Sequence, residues 1–216
     1  MADDPLTAQQ LEQARQEIQG LVREIAQLSQ QDDLEVEDYF QRFLSAIVTA
    51  LAAAGGAVWR PAEGGDVELL TQINLRTTEI AEGGEDEQRH RRCLASVLAS
   101  GTAHVMPPYS GDDRTGNPTR FLLLLVPLRS DESTEGVVEI FQRPGASVDV
   151  QKGYLKFLGD ACDRAGDWIR RRKYRQLTAE QSRWHKLDQI SQAIHDSLNS
   201  KETAFAITNE ARAFLR

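Results

Sequence analysis

The chain has 216 residues, with 25 Lys and Arg against 33 Asp and Glu, a formal net charge of −8. Apolar residues make up 40% and charged residues 27%, the balance of a globular chain and not of a disordered one. The acidic excess excludes a wholly basic nucleic-acid binder, because phosphate contacts need a clustered positive surface. Cys93 and Cys162 are the only cysteines, too few for a disulfide framework or a zinc site of their own, so both are expected as reduced, half-buried thiols. The first residues, MADDPLTAQQ, have neither the basic nor the apolar region of a signal peptide. The apolar runs at 46–59 and 121–128 fall short of the roughly 20 residues that span a bilayer. A cytoplasmic location is expected.

Residues 6–30 carry Leu11, Ala14, Ile18, Leu21, Ile25 and Leu28 at alternating spacings of three and four, which predicts a heptad helix. So short a helix is marginal alone and needs a partner helix. After a break at Gln31-Asp32-Asp33, residues 36–53 predict a second amphipathic helix, with Gly55-Gly56 as its C-cap. A hairpin follows, from strands at 57–60 and 67–75. Residues 77–84 read as a polar loop, and 86–100 as a helix closed by Gly101. A short strand at 103–106 stops at Pro107-Pro108, and 109–119 is the most loop-like stretch. The unbroken run Phe121-Leu-Leu-Leu-Leu-Val-Pro-Leu128 predicts a central strand buried on both faces. A turn at 131–136 leads to the strand Val137-Val-Glu-Ile-Phe-Gln142.

From Val148 a helical pattern holds to Leu198, a length that suggests a connector or coiled coil. Asn199-Ser200 breaks it, and another amphipathic helix begins at Ala204 and runs to Arg216 without a cap, as in a fragment of a longer protein. The expected organisation is a heptad helix (1–33), a domain (34–170), a connector helix (171–198) and the start of a second domain (199–216). Strands in a run with helices at both ends predict an α+β fold. Its antiparallel sheet would carry the terminal helices on one face and the mid-chain helix and loops on the other.

GGAVWRP early, FLLLLVPL and GVVEIFQRP late, and the closing helix YLKFLGDACDRAGDWI together resemble a GAF domain over about residues 36–170. The tail ISQAIHDSLNSKETAFAITNEARAFLR is similar to the first helix of a second such domain. The strand VVEIFQRP with its connector also resembles the cytoplasmic N-terminal part of some HlyD-like secretion adaptors, in which a membrane helix follows downstream. The resemblance implies a non-catalytic sensory or scaffold module that senses a small molecule or dimerises. Cyclic-nucleotide members carry an Asn-Lys-Phe-Asp-Glu type set where this chain has Gln142-Arg143-Pro144-Gly145. Bilin-binding members need an exposed Cys beside a His. Cys93 lies near His90 but amid Arg89, Arg91 and Arg92. No cofactor is therefore expected.

The four histidines, His90, His104, His185 and His195, show no metal-ligand spacing and no accompanying carboxylate cluster, and they read as surface or helix-face residues. No metal is expected, and no nucleophile sits at a usable spacing from a base. Arg170-Arg-Arg-Lys-Tyr-Arg175 reads as a solvated stretch of connector helix, with membrane proximity only through a downstream anchor. A ligand pocket would lie between the sheet and the mid-chain helix, flanked by Trp59, Arg76, His104, Tyr109 and Arg120. A homodimer would bury Leu11, Ile18, Leu21, Ile25, Tyr154, Leu158 and Ile169. The alternative is the sensor and dimerisation part of a histidine kinase, with His195 beside Asp196 as phospho-acceptor.

Overall fold

The heptad stripe of the first segment folds as helix α1 (Ala8–Leu28). A computed structural model describes residues 8–75, 84–112, 115–131, 133–196 and 200–215. Helix α2 (Val36–Ala50) begins with Glu37 and Asp38 in its first turn, where carboxylates complement the helix dipole. Then come β1 (Gly55–Pro61), β2 (Val67–Ile73) and α3 (Glu85–Ser100), the last closed by Gly101 at φ 60, the left-handed cap expected of it. The polar loop expected at 77–84 lies, but for its last residue, outside the described residues. Short strands β3 (His104–Met106), β4 (Ser110–Gly111) and β5 (Gly116–Asn117) precede the long pair β6 (Leu122–Ser130) and β7 (Ser133–Gln142). Helices α4 (Val148–Asp196) and α5 (Ser200–Phe214) complete the order.

Five strands form an antiparallel sheet in the order β2-β1-β7-β6-β3, and β4 with β5 makes a small ribbon. Side chains alternate across a strand, so β6 serves two cores. Leu122, Leu124, Val126 and Leu128 meet α1, α2 and α4, while Phe121, Leu123 and Leu125 meet α3. The strand is thus buried on both faces, as its unbroken apolar run predicts. The fold is α+β, with α1, α2 and the first part of α4 on one face of the sheet and α3 on the other. β3 pairs with β6 only at Leu123–Leu125, so Pro127 lies past its reach.

Three local expectations need correction. Helix α2 ends at Ala50, and Gly55-Gly56 open β1 instead of capping the helix. A Cβ at Gly55 would lie 2.6 Å from the Ile73 carbonyl oxygen, and one at Gly56 would lie 2.9 Å from that of Glu139, so close strand approach is what requires glycine there. Gly136 belongs to β7, not to a turn. Its Cβ would lie 2.4 Å from the Trp59 carbonyl oxygen. β7 therefore starts at Ser133, with a register irregularity between Leu128 and Arg129 and Asp131 at φ 53 carrying the tight connection. The loop-like stretch around 109–119 is organised by buried Asn117. Its amide donates to the carbonyls of Met106, Pro107 and Phe121 at 3.2, 2.8 and 2.7 Å.

The chain divides into two compact units, Met1–Arg170 and Arg171–Arg216, and the division falls inside α4. In the first unit, α1 shares the core of the domain. Ile25 and Leu28 are buried, and Trp168 of α4 stacks on Tyr39 of α2 at 3.9 Å between ring centroids. The second unit contains the rest of α4 and α5, with Tyr174, Leu177, Trp184 and Phe205 exposed. No helix among the described residues is long and apolar enough to cross a membrane.

Candidate functional site

Helix α3 packs on the sheet through Cys93, Leu94 and Val97. His90 continues that stripe, three and four residues before Cys93 and Leu94, so its ring is carried into the interior. On β7, Val137, Glu139 and Phe141 point to the same side, which places Glu139 under α3. Both side chains are almost sealed from water, at 3% and 0% relative exposure. His90 Nε2 lies 2.5 Å from Glu139 Oε1, and Trp59 Nε1 donates to Glu139 Oε2 at 2.8 Å. The Trp59 ring meets the imidazole edge-on at 6.0 Å. Both carboxylate oxygens thus have a donor, which a buried carboxylate requires.

Burial pushes the His90 imidazolium down. Attraction to Glu139 and the hydrogen bond to it more than reverse this, leaving His90 above its ordinary value of 6.5. The expectation that the histidines lie on the surface without a carboxylate partner is therefore corrected at His90. The signal was present in pieces: a His on the apolar stripe of α3, and a Glu with apolar neighbours on both sides in β7.

Two arginines brace the same helix. Arg91 donates to Asp66 Oδ2 at 2.8 Å and to the Val67 carbonyl at 2.5 Å, tying α3 to the start of β2. Arg89 Nε donates to the Asp112 carbonyl at 3.1 Å. Cys93 lies against Met106, with its Sγ 2.9 Å from the thioether sulfur. Burial, with the negative Glu139 adding to it, pushes the Cys93 thiol up to about 11, and burial likewise raises Cys162. At pH 7 about one Cys93 in ten thousand is then a thiolate. Neither thiol of the native chain is expected to react with Ellman's reagent within minutes, whereas both react after denaturation. A fast-reacting native thiol would show that α3 does not seal Cys93.

Of the five residues expected to flank a pocket, the four that are described do not converge. Trp59 is buried and bonded to Glu139. His104 is exposed on the edge strand β3, and Tyr109 is 72% exposed at φ 50. Arg120 is exposed, with its guanidinium 5.2 Å from the Phe121 ring centre. Arg76 lies outside the described residues. Between the sheet and α3 the described side chains pack together: Trp59, Leu94, Val97, Phe121, Val137 and Phe141 are all buried. Asp112, in the loop-like stretch at 109–119, accepts from the Thr115 amide at 2.6 Å. No group of three or more potential metal-ligating side chains occurs among the described residues.

The residues expected in a dimer seam also separate. Ile25 and Leu158 are 2% and 0% exposed inside the chain's own core, because α1 and α4 pack on the same face of the sheet. Leu21, Tyr154 and Ile169 pack partly against that core. Ile18 is 44% exposed. Leu11 falls in α1, and its side chain lies outside the described residues, as does that of His195 in α4. Between α1 and α4 a recess of about 120 Å³ is lined by Val22, Ile25, Phe157, Ala161, Asp160 and Arg164.

No family model matches the chain, and no curated protein matches it in sequence. Solved structures do. The A. aeolicus nlh2 GAF domain in an inactive state aligns at a TM-score of 0.57 with 15% identity, over 74% of this chain and 99% of that one. The GAF domain of a phosphoenolpyruvate-protein phosphotransferase from Coxiella burnetii aligns at 0.55 with 12% identity, over 75% and 98%. The GAF domain of a putative sensor histidine kinase from Pseudomonas syringae pv. tomato aligns at 0.52 with 18% identity, over 82% and 99%. The fold is GAF-like.

Proposed function

We propose that this chain is a non-catalytic regulatory module that pairs with a second copy through α1 and α4 and passes its state along α4. The observation that carries this reading is α4 itself. Leu158, Ala161, Cys162, Ala165 and Trp168 anchor it in the core of the first unit, and the same helix runs on to Asp196. A change in how the domain packs is thereby a change in the placement of that helix. The seam combines the exposed Ile18 with half-buried Val22 and Phe157. Asp160 and Arg164 at the rim have no hydrogen-bond or ion-pair partner among the described residues, and in a symmetric pair the partner's Arg164 would answer Asp160. The parent protein in this reading is of the HlyD-like secretion type, on the strength of the segment Val137–Pro144 and the connector after it. The GAF-like fold and the closely packed space under α3 favour a module that acts by shape.

Sedimentation equilibrium tests the pairing. Wild type is expected as a dimer at micromolar concentration. Ile18→Asp, at a site 44% exposed in the single chain, is expected to weaken it at least tenfold, about 1.4 kcal/mol. A wild-type monomer at tens of micromolar overturns the pairing, and an Ile18→Asp dimer of unchanged affinity overturns this seam.

A further inference from the structure

We propose that the buried His90–Glu139 pair is a proton-operated latch that holds α3 on the sheet while His90 carries its proton and loosens α3 when the proton leaves. The geometry sets the terms. Glu139 is fixed by Trp59 from β1, and its other oxygen is 2.5 Å from His90 Nε2, with both groups almost sealed from water. Protonated, His90 supplies both a donor and a compensating charge. Neutral, it supplies at most a hydrogen bond, and the Glu139 carboxylate is left in an apolar layer of Leu94, Val97, Phe121 and Phe141 without a counter-charge. The helix that carries His90 then has a reason to lift.

Other charges around His90 do not take over the task. On α3 itself, Glu87 favours the imidazolium and Arg91 opposes it. Arg91 is engaged by Asp66, just ahead of β2. Cys93, one turn along α3, is raised far into the neutral thiol. From β6 the neighbours are Leu123 and Leu125, and from β5 Gly116 and Asn117, none of which titrates. Glu139 is the only carboxylate facing His90 from the sheet among the described residues.

The direction of the response follows from linkage. A histidine whose proton affinity is higher in the latched state favours that state fully below its unlatched pKa of about 6.5. That preference is lost as pH rises through the latched value. With one proton coupled, the opening equilibrium of α3 rises tenfold per pH unit between those two points and levels off above them. Arg91–Asp66 and Arg89–Asp112 remain as tethers, so the expected movement is local loosening of α3 and not unfolding of the domain.

Two measurements on the full chain decide the matter. In the first, the imidazole of His90 is followed by NMR from pH 5 to 10 in the wild type. Hydrogen exchange of α3 amides, corrected for intrinsic rate and referenced to α2, is followed over the same range. A midpoint above 6.5 together with a tenfold rise in α3 opening per pH unit is expected. An imidazole that does not titrate in this range, or α3 exchange that tracks α2 at every pH, overturns the latch. In the second, Glu139→Gln, which keeps an acceptor for Trp59 but no charge, is expected to abolish the rise of α3 opening with pH above about 6.5. A rise in α3 opening with pH above about 6.5 that survives in that variant also overturns the latch. The wild-type measurements stand by themselves if the variant does not fold.

Discussion

Glu139→Ala is expected to lower the stability of the domain by about 2–6 kcal/mol at neutral pH, the cost of leaving two buried polar groups without a partner at about 1–3 kcal/mol each. The mutation leaves the imidazole Nε2 of His90, which then gives up its proton, and the indole N–H of Trp59 together without a partner, and both groups are in the same sealed layer. The loss belongs to the stranding, not to any large net strength of the pair. The double variant His90→Leu/Glu139→Gln should therefore recover most of it. Leucine fits the apolar stripe of α3, and the carbonyl of the introduced carboxamide still accepts from Trp59. Urea denaturation followed by circular dichroism checks both variants. A double variant as unstable as the single one would show that the charge pair itself is strongly stabilising.

Trp168→Ala is the second large effect, with an expected loss of about 3–5 kcal/mol. Trp168 is 1% exposed and lies parallel to Tyr39 at 3.9 Å, with Phe40 edge-on at 6.2 Å. Its Nε1 donates to the Gln31 carbonyl at 2.9 Å, just after α1. Tyr39 in turn shares a 3.0 Å hydrogen bond with Ser29. One side chain of α4 thereby joins the segment after α1 to α2. Trp168→Phe keeps an aromatic face and loses the N–H, so it should cost roughly 1–2 kcal/mol, near that of one buried hydrogen bond and some lost area. Equal losses for Ala and Phe would place the weight on the hydrogen bond instead of the stack. The measurement is again denaturation by circular dichroism, because the mutation removes one of the three tryptophans.

What the sequence made legible was periodic. The α1 stripe, the two-faced strand β6 and the cap at Gly101 each follow from a local pattern acting on a local preference. What it hid was relational. Gly55 and Gly136 carry the residue type of turns, yet their need for glycine comes from carbonyls of strands folded against them. His90 and Glu139 are 49 residues apart, and neither is informative until the sheet register brings Glu139 opposite Ala57, beside Trp59. Ile25 and Leu158 have the spacing of a dimer seam, but periodicity shows only that a face is covered. It does not show whether the cover comes from the same chain. The pocket residues scattered for a similar reason, since Trp59 turned inward on β1 while His104 and Tyr109 stayed at the edge.

Pro127 has a consequence for how this protein behaves at high concentration. On the side where β3 has already ended, the second half of β6 presents backbone without a ladder partner among the described residues. A proline there has no amide hydrogen to offer, so an incoming strand from another molecule finds the hydrogen-bond ladder interrupted. The most apolar strand of the chain is thereby protected from templating aggregates along this open stretch. A purely Leu-Val sequence of the same hydrophobicity would have folded the same core and left that stretch adhesive.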